Sequence, residues 1–362
     1  MKKLDPKFYI TCGVVILIPI MILIVLFAIR GCNNTKTPEK YEQLMISAAE
    51  KYAKAHKMFP KKGNQVIIKL DELEKDGLKS SEKALKDTTC SGSVTISNNS
   101  NDLSEEDYYL YTPYLECSNY KTDYLKDHLL EDITTTNSGL YQVGKEYIYK
   151  GDKVNNYINF FGVDYRIIKI DENNNIKLIK ATNQQVSSSW DSKYNIKNNK
   201  YSGINSYSDS NIIDRLNEDY QKDKTLKKDA KNHIIPTDVC VGKRSINNLS
   251  KNITNECSEK IDNQVITLPS VTDIALASYD DNCKNLGDLS CTNYNYLADF
   301  IDYSWTVDTV LEDTSLVYYI SSSDADLETA NKYKKYNWVI YISGDEVYME
   351  GSGTKDDPYI IK

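Results

Sequence analysis

The side chains able to do chemistry are few and scattered. The chain holds three histidines, His56, His128 and His233, whose neighbours share no pattern. His56 continues a helical stretch, His128 falls near an expected connector, and His233 precedes Ile234–Ile235–Pro236. A histidine–cysteine zinc site or a Ser–His–Asp triad needs partners that the sequence does not nominate. Ser80-x-x-Lys83 and Ser118-x-x-Lys121 match the nucleophile motif of penicillin-recognising enzymes. No Lys-Thr-Gly partner accompanies them, and Ser118 follows a cysteine expected in a disulfide, so both read as chance matches. Gly351–Ser352–Gly353 forms no phosphate loop, because Lys355 is misplaced. The expectation is no catalytic residue, no metal and no cofactor.

Acidic and aromatic groups are better candidates, and for binding rather than reaction. Asp324, Asp326 and Glu328 alternate in what reads as a solvated, serine-flanked loop, and Asp280–Asp281 precede Cys283. Carboxylates with hydroxyl neighbours suit Ca²⁺, but the EF-hand pattern is missing. Tyrosine is the compositional oddity, 29 residues against six phenylalanines. An AT-biased genome would enrich Asn, Lys, Ile and Tyr together, but should raise Phe as well. A flat apolar ring with a hydrogen-bonding tip suits half-wet strands, and also binding faces for glycans or proteins. Trp190, Trp305, Trp338, Asp324 and Asp326 are therefore the candidate binding residues. Trp305 has a structural alternative: if buried, its truncation would unfold the domain.

Where such groups work is set by the N-terminal region. Between Lys7 and Arg30 there is no charge, and Val14–Ile29 is almost wholly aliphatic. At about 1.5 Å per residue, Phe8–Ile29 is long enough as a helix to cross a hydrocarbon core of about 30 Å. Pro19 is tolerated in such a helix. The exit Ala28–Ile29–Arg30 supplies no small-x-small cleavage site. Gly31–Cys32 fits a lipidation site, from which Arg30 departs, and Leu268–Pro269–Ser270–Val271–Thr272 is not a sortase signal. Lys2, Lys3 and Lys7 before the helix balance Arg30, Lys36 and Lys40 after it, so basic residues do not orient it.

Cysteine orients it instead. Apart from Cys12 and Cys32, the cysteines fall into three sequence-local couples, Cys90 with Cys117, Cys240 with Cys257 and Cys283 with Cys291. None has metal-type C-x-x-C spacing, as expected of disulfides in an oxidising compartment. The region after the helix is expected outside the cell membrane and residues 1–7 inside. A net charge of −8 argues against nucleic acid as a partner.

The elements that must position these groups are legible in outline. Thr37, Pro38 and Glu39 predict a helix start. Tyr41, Leu44, Met45, Ala48 and Tyr52 then make one apolar stripe, ending near Phe59–Pro60. Val66–Leu70 reads as a strand and Asp71–Gly77 as a short helix. Cys90–Ser97 and Tyr108–Cys117 read as a hairpin. Placing Cys90 opposite Cys117 also sets Val94 opposite Pro113 and Ile96 opposite Tyr111, so disulfide and apolar face agree on one register. Further on, strands are expected at Glu146–Tyr149, Tyr157–Phe161, Val163–Ile170 and Ile176–Ala181. A helix is expected after Ser208, and another at Ser270, where Ser270 and Asp273 approximate a capping box. Tyr318–Ser321 and Trp338–Ser343 read as closing strands.

The fold class is accordingly α+β: a single N-terminal transmembrane helix, a small α+β module, and a larger mixed α+β domain with mainly antiparallel strands. In residues, this is a cytoplasmic tail 1–7, membrane helix 8–29, linker 30–37, disulfide-bearing module 38–126, connector 127–138 and extracytoplasmic domain 139–362.

The C-terminal region resembles an uncharacterised extracytoplasmic domain common in surface proteins of low-GC Gram-positive bacteria. The residues that carry the resemblance are Tyr165–Arg166–Ile167–Ile168, Trp190 with Tyr194–Asn195, and Gly203–Ile204–Asn205. Others are Cys240–Val241–Gly242–Lys243–Arg244, Leu268–Pro269–Ser270, Asn293–Tyr294–Asn295–Tyr296–Leu297 and Trp305–Thr306. The series closes on Gly351–Ser352–Gly353–Thr354 and Asp357–Pro358–Tyr359. Where such domains carry Gly-x-Arg-Pro before the last aliphatic strand, this chain has Tyr336–Asn337–Trp338. Residues 39–125 look like a small domain found beside membrane anchors in the same proteins. A more distant analogy is to the fold of C-type lectins and formylglycine-generating enzymes. The resemblance implies location and fold, not activity. The expected function is a non-catalytic envelope protein that is anchored in the lipid bilayer through 8–29. Its expected ligand is a glycan, a peptidoglycan component or another surface protein. An envelope enzyme and a pilin-like subunit are the alternatives.

Overall fold

The computed structural model describes residues 37–86, 90–98, 109–182, 187–192, 204–246, 257–285, 288–321 and 324–361. The expected membrane helix 8–29, Cys12, Cys32, Tyr194–Asn195 and Gly203 lie outside them. Among the described residues no helix is long and apolar enough to cross a membrane. The chain divides into two compact units. One gathers residues up to Met58 with Ile67–Val94 and Pro113–Thr122; the other gathers Phe59–Val66, Thr95–Thr112 and Asp123–Lys362. Helices and mainly antiparallel strands make the protein α+β, as expected.

In the first unit, helix α1 (Pro38–His56) starts at the expected cap, the Thr37 hydroxyl accepting from Lys40 N at 3.4 Å. Tyr41, Met45, Ala49 and Ala53 are buried along one face at four-residue spacing. Strand β1 (Gln65–Lys69) runs directly into α2 (Leu70–Lys75), and α3 (Ser81–Leu85) follows. Strands β2 (Ser91–Asn98), β3 (Tyr109–Cys117) and β4 (Tyr120–Lys121) complete a sheet in the order β1-β2-β3-β4. Cys90 and Cys117 are bonded. A Cβ built on Gly92 would lie 2.5 Å from Tyr114 O and 3.5 Å from the Leu115 Cα. Glycine is needed there for the close approach of the strands. Glu42 is buried in α1 and accepts a 2.5 Å bond from the Thr122 hydroxyl.

In the second unit's main segment, from Asp123 onward, the first helix is α4 (Leu125–Leu130), whose Leu125 and Leu129 join the main core. The stretch read as a connector thus begins inside a helix. Strands β5 (Gly139–Val143), β6 (Glu146–Lys150), β7 (Tyr157–Phe160), β8 (Val163–Ile170) and β9 (Asn175–Lys180) pair antiparallel. The first half of β8 pairs with β7 and its second half with β6. After β10 (Ser188–Ser189) comes α5 (Asn211–Lys222), capped by Ser210 rather than Ser208. Next are β11 (Thr237–Val241), β12 (Lys243–Arg244), β13 (Glu259–Gln264), α6 (Val271–Leu276) and α7 (Tyr296–Phe300). The rest is β14 (Ser304–Val310), β15 (Leu316–Ser321), β16 (Asp324–Thr329), β17 (Tyr333–Lys334), β18 (Val339–Ser343), β19 (Tyr348–Glu350) and β20 (Tyr359–Ile361).

These strands form an eight-stranded sheet along β18-β9-β8-β7-β20-β19 with β5 and β6 attached, and a four-stranded sheet β12-β14-β15-β16. Strand β20 pairs parallel with β7, and β12 with β14. Ile167, Ile168 and Ile170 of β8 and Ile176, Leu178 and Ile179 of β9 are all buried, as in strands covered on both faces. Stretch 324–329, read as a solvated loop, is instead a strand paired with β15. Its alternating carboxylates gave it a polar look that the β15 ladder overrides.

Candidate functional site

The candidate binding tryptophans are interior residues. Trp190 and Trp305 have no exposed surface and Trp338 keeps 5%. Trp190 Nε1 donates to Thr306 O at 2.9 Å and Trp305 Nε1 to Ser188 O at 2.8 Å. The Lys180 ammonium lies 4.0 Å from the centre of the Trp338 ring, covering it. None of the three presents an open face, which corrects the expectation of a tryptophan platform. Large rings at these positions belong to the main hydrophobic core, where burial returns most. Asp326 is exposed and accepts from the Tyr319 hydroxyl at 3.1 Å, while the Asp324 side chain lies outside the described residues.

The motif residues are structural too. The Arg166 guanidinium lies 4.4 Å from both the Tyr157 and Tyr296 ring centres, and its Nε donates to Asn156 Oδ1 at 2.8 Å. Arg244 is buried against Asp308, with Nε 3.0 Å from Oδ1, and a Cβ on Gly242 would collide with that carboxylate. Cys240 is bonded to Cys257 and Cys283 to Cys291. The three histidines are not brought into one centre with a nucleophile. His56 lies 4.0 Å from Asp76, His128 stacks on Tyr348 at 3.7 Å, and His233 Nδ1 lies 2.8 Å from Glu346. Among the described residues no group of three or more His, Cys, Asp and Glu could hold a metal ion.

The concave site in the second unit lies elsewhere, over β8, β9 and β18. Lys169, Lys177 and Tyr341 are direct cross-strand neighbours, Lys169 opposite Lys177 and Lys177 opposite Tyr341. A register shift between Ile167 and Lys169 brings the two lysines together. Like charges directly opposite repel, so each needs its own anion. Lys169 Nζ lies 2.8 Å from Glu146 Oε1, and Lys177 Nζ lies 2.8 and 2.7 Å from the two Asp273 oxygens. Asp273 is itself fixed by the capping box of α6, accepting from Ser270 N at 2.8 Å. Burial pushes the Asp273 carboxyl up, but Lys177, then Lys169 and the hydrogen bonds, outweigh it and hold it below the usual range.

Around this row opens a cavity of about 490 Å³. One wall is the stretch Ile235–Cys240 with Cys257 and Lys260; Thr267, Leu268, Ser270 and Val307 also line it. The turn Asp171–Asn175 forms the rim, its Asp171 Oδ1 accepting from Asn173 N and Asn175 N at 2.9 and 2.8 Å. Burial raises the Asp171 carboxyl, those N–H groups pulling the other way. Across the cleft, Lys260 Nζ lies 3.2 Å from Asp238 Oδ2 in a half-open pair. The lining thus carries cations (Lys169, Lys177, Lys260) and anions (Glu146, Asp171, Glu172, Asp238) in near balance. Such a cleft suits a polar ligand that bears both signs of charge, and its volume is that of a small-molecule site.

The sequence nominated none of the charged lining residues for a role. Lys177 and Asp273 stand 96 positions apart. The one local signal was the capping box, and the alternation of β9 gave no reason to treat its central lysine as special. The chain matches no protein-family model, and no curated protein or solved structure is similar to it.

Proposed function

We propose that the chain is a membrane-anchored, extracytoplasmic binding protein of the cell envelope, without chemistry of its own, and that the charged cleft is where it takes its ligand. The observation that carries this reading is the cleft's balanced lining: three lysines and four carboxylates around one cavity of about 490 Å³. Each inner lysine is neutralised by a hydrogen-bonded carboxylate, which leaves the groups suited to positioning charge rather than transferring protons. The exposed Lys260–Asp238 pair is weakly held and can exchange partners with a ligand. A peptidoglycan stem peptide, with carboxylates and a free amine on one short chain, has the matching chemistry. Three disulfides support an oxidising compartment. The uncharged stretch 8–29 and the resemblance to extracytoplasmic surface domains support the anchor and the location.

The test uses the ectodomain, residues 37–362, and purified peptidoglycan. Binding should weaken with added salt and fall about tenfold in Lys260→Glu, whose position is exposed enough to spare the fold. Retention that ignores both salt and Lys260→Glu would exclude the cleft. Protease applied to intact cells should digest the ectodomain, and full protection beside a digested surface control would remove the topology.

A further inference from the structure

Tyrosines bury well here, yet three of them gather at the surface of the second unit. Tyr141 of β5 is half-buried, Tyr279 is 38% exposed and Tyr294 is 61% exposed. The Tyr141 and Tyr279 rings lie 5.9 Å apart at 46°. Tyr279 N donates to Tyr294 O at 3.3 Å, so the backbone that carries the third tyrosine is tied directly to that of the second. The Lys150 ammonium lies 5.5 Å from the Tyr141 ring centre, and Asp281 is exposed beside Tyr279.

The platform is stiff. Disulfide Cys283–Cys291 staples the loop that carries Tyr279 and Tyr294. Ser278 Oγ donates to Ser290 O at 3.1 Å and Asn293 O at 2.9 Å, and Asn293 Nδ2 donates to Asp280 Oδ2 at 2.9 Å. Asn295 Nδ2 ties the loop's end to Cys291 O at 2.7 Å. Gly151 N donates to Ala277 O and Tyr296 N to Gly151 O, at 2.9 and 2.8 Å, which docks the loop on the end of β6. Gly151 has φ 114°, and a Cβ there would collide with Ser138.

Tyr294 has φ 46°, left-handed backbone that glycine adopts without cost and other L-residues do not. Its buried neighbours Asn295 and Tyr296 hold the backbone in that conformation, while Tyr294 itself is mostly in solvent. Sparsely populated backbone conformations of this kind cluster at binding sites, which makes Tyr294 a candidate contact residue.

We propose that Tyr141, Tyr279 and Tyr294 form a carbohydrate-binding surface that stacks the faces of a pyranose chain, with Lys150 and Asp281 at its polar rim. Phenolic rings offer a flat apolar face beside a hydrogen-bonding tip, which complements a sugar ring's own apolar face and hydroxyl edge. Lys150 and the loop's Lys284 are matched by Asp280 and Asp281, so the surface offers no net positive field for anionic lipid or nucleic acid. A stapled platform of aromatic residues with few rotatable bonds loses little entropy on binding. None of these residues lines the charged cleft. The proposal rests on the envelope location above but not on the cleft.

The test measures binding of N-acetylglucosamine hexamer and cellohexaose to the 37–362 ectodomain by calorimetry. At least one should bind, and Tyr279→Ala and Tyr294→Gly should each weaken it about tenfold or more. Tyr294→Gly should also unfold at the same or higher denaturant, because it relieves the left-handed strain while removing the ring. Lys260→Glu in the cleft should leave sugar binding unchanged. Sugar binding that survives the Tyr279→Ala/Tyr294→Gly double variant would overturn the proposal. So would binding to phosphatidylglycerol vesicles that the double variant abolishes. Binding to peptidoglycan with no affinity for either oligosaccharide would overturn the sugar surface alone, and binding to none of them would remove the binding reading as well.

Discussion

Replacing Lys177 by methionine keeps the side chain's length and removes its charge, which isolates the buried ion pair beneath the cleft. The Lys177 and Asp273 side chains are 7% and 3% exposed, and both Asp273 oxygens accept from Lys177. Removing one partner strands a buried carboxylate, a change that costs about 3–5 kcal/mol. Lys169 still acts on Asp273 and Ser270 N still donates to it, which sets the expectation near the lower end, about 3 kcal/mol. The pH dependence is the sharper test. In the native protein the Asp273 carboxyl is held below its ordinary range, so its contribution is present above the unfolded carboxyl's pKa and is lost as pH falls through the folded one. Without Lys177, burial dominates and the folded carboxyl rises above the unfolded one, so the penalty is felt at neutral pH and fades as the group is protonated. The deficit of Lys177→Met should therefore be full near pH 7 and shrink toward about pH 4. Adding Asp273→Asn, which keeps an acceptor for Ser270 N, should recover at least about 1 kcal/mol. Urea titrations followed by tryptophan fluorescence suit the measurement, because Trp190, Trp305 and Trp338 all belong to the second unit. A deficit equal at both pH values, or a double variant no better than the single, would refute the reasoning.

Other outcomes follow from the same structure. Trp305→Ala should destabilise the second unit by about 3–5 kcal/mol, since the ring is fully buried and its indole N–H is bonded; a loss of binding without loss of stability in denaturant would contradict this. Removing Cys90–Cys117, which spans 27 positions, should cost roughly 3.5 kcal/mol, and removing Cys283–Cys291, which spans 8, roughly 2.5 kcal/mol. Denaturation of the paired serine variants checks both the size and the order. Burial pushes His233 down, but the Glu346 carboxylate beside it prevails and raises it above its ordinary value. That contribution is present below the unfolded histidine's pKa and is lost as pH rises through the folded one. Native protein should therefore lose its stability advantage over His233→Gln as pH rises from about 6 to 9, and an advantage that grows would contradict the pairing.

The sequence by itself determined what is local. Thr37 and Pro38 start α1, and Ser270 with Asp273 starts α6, because capping depends on residues within one turn. The Cys90–Cys117 bond and the adjacency of β2 and β3 were legible because a covalent constraint and an apolar face pointed to the same pairing. Charge and periodicity over short windows likewise marked β8, β9 and the tyrosine excess. Tertiary structure alone decided everything that depends on distant partners. Identical indole rings read as platform or core, and only the full burial of Trp190 and Trp305 in the main core settles it. Asp324–Thr329 looked like a loop because its polar alternation carries no sign of the β15 strand it pairs with. The cleft was invisible for the same reason. Its chemistry is made by a register shift in β8 and by a carboxylate 96 positions from the lysine it neutralises. The surface tyrosines depend on a backbone angle at Tyr294 that no residue type announces, since an L-residue takes it only when the surrounding fold holds it there.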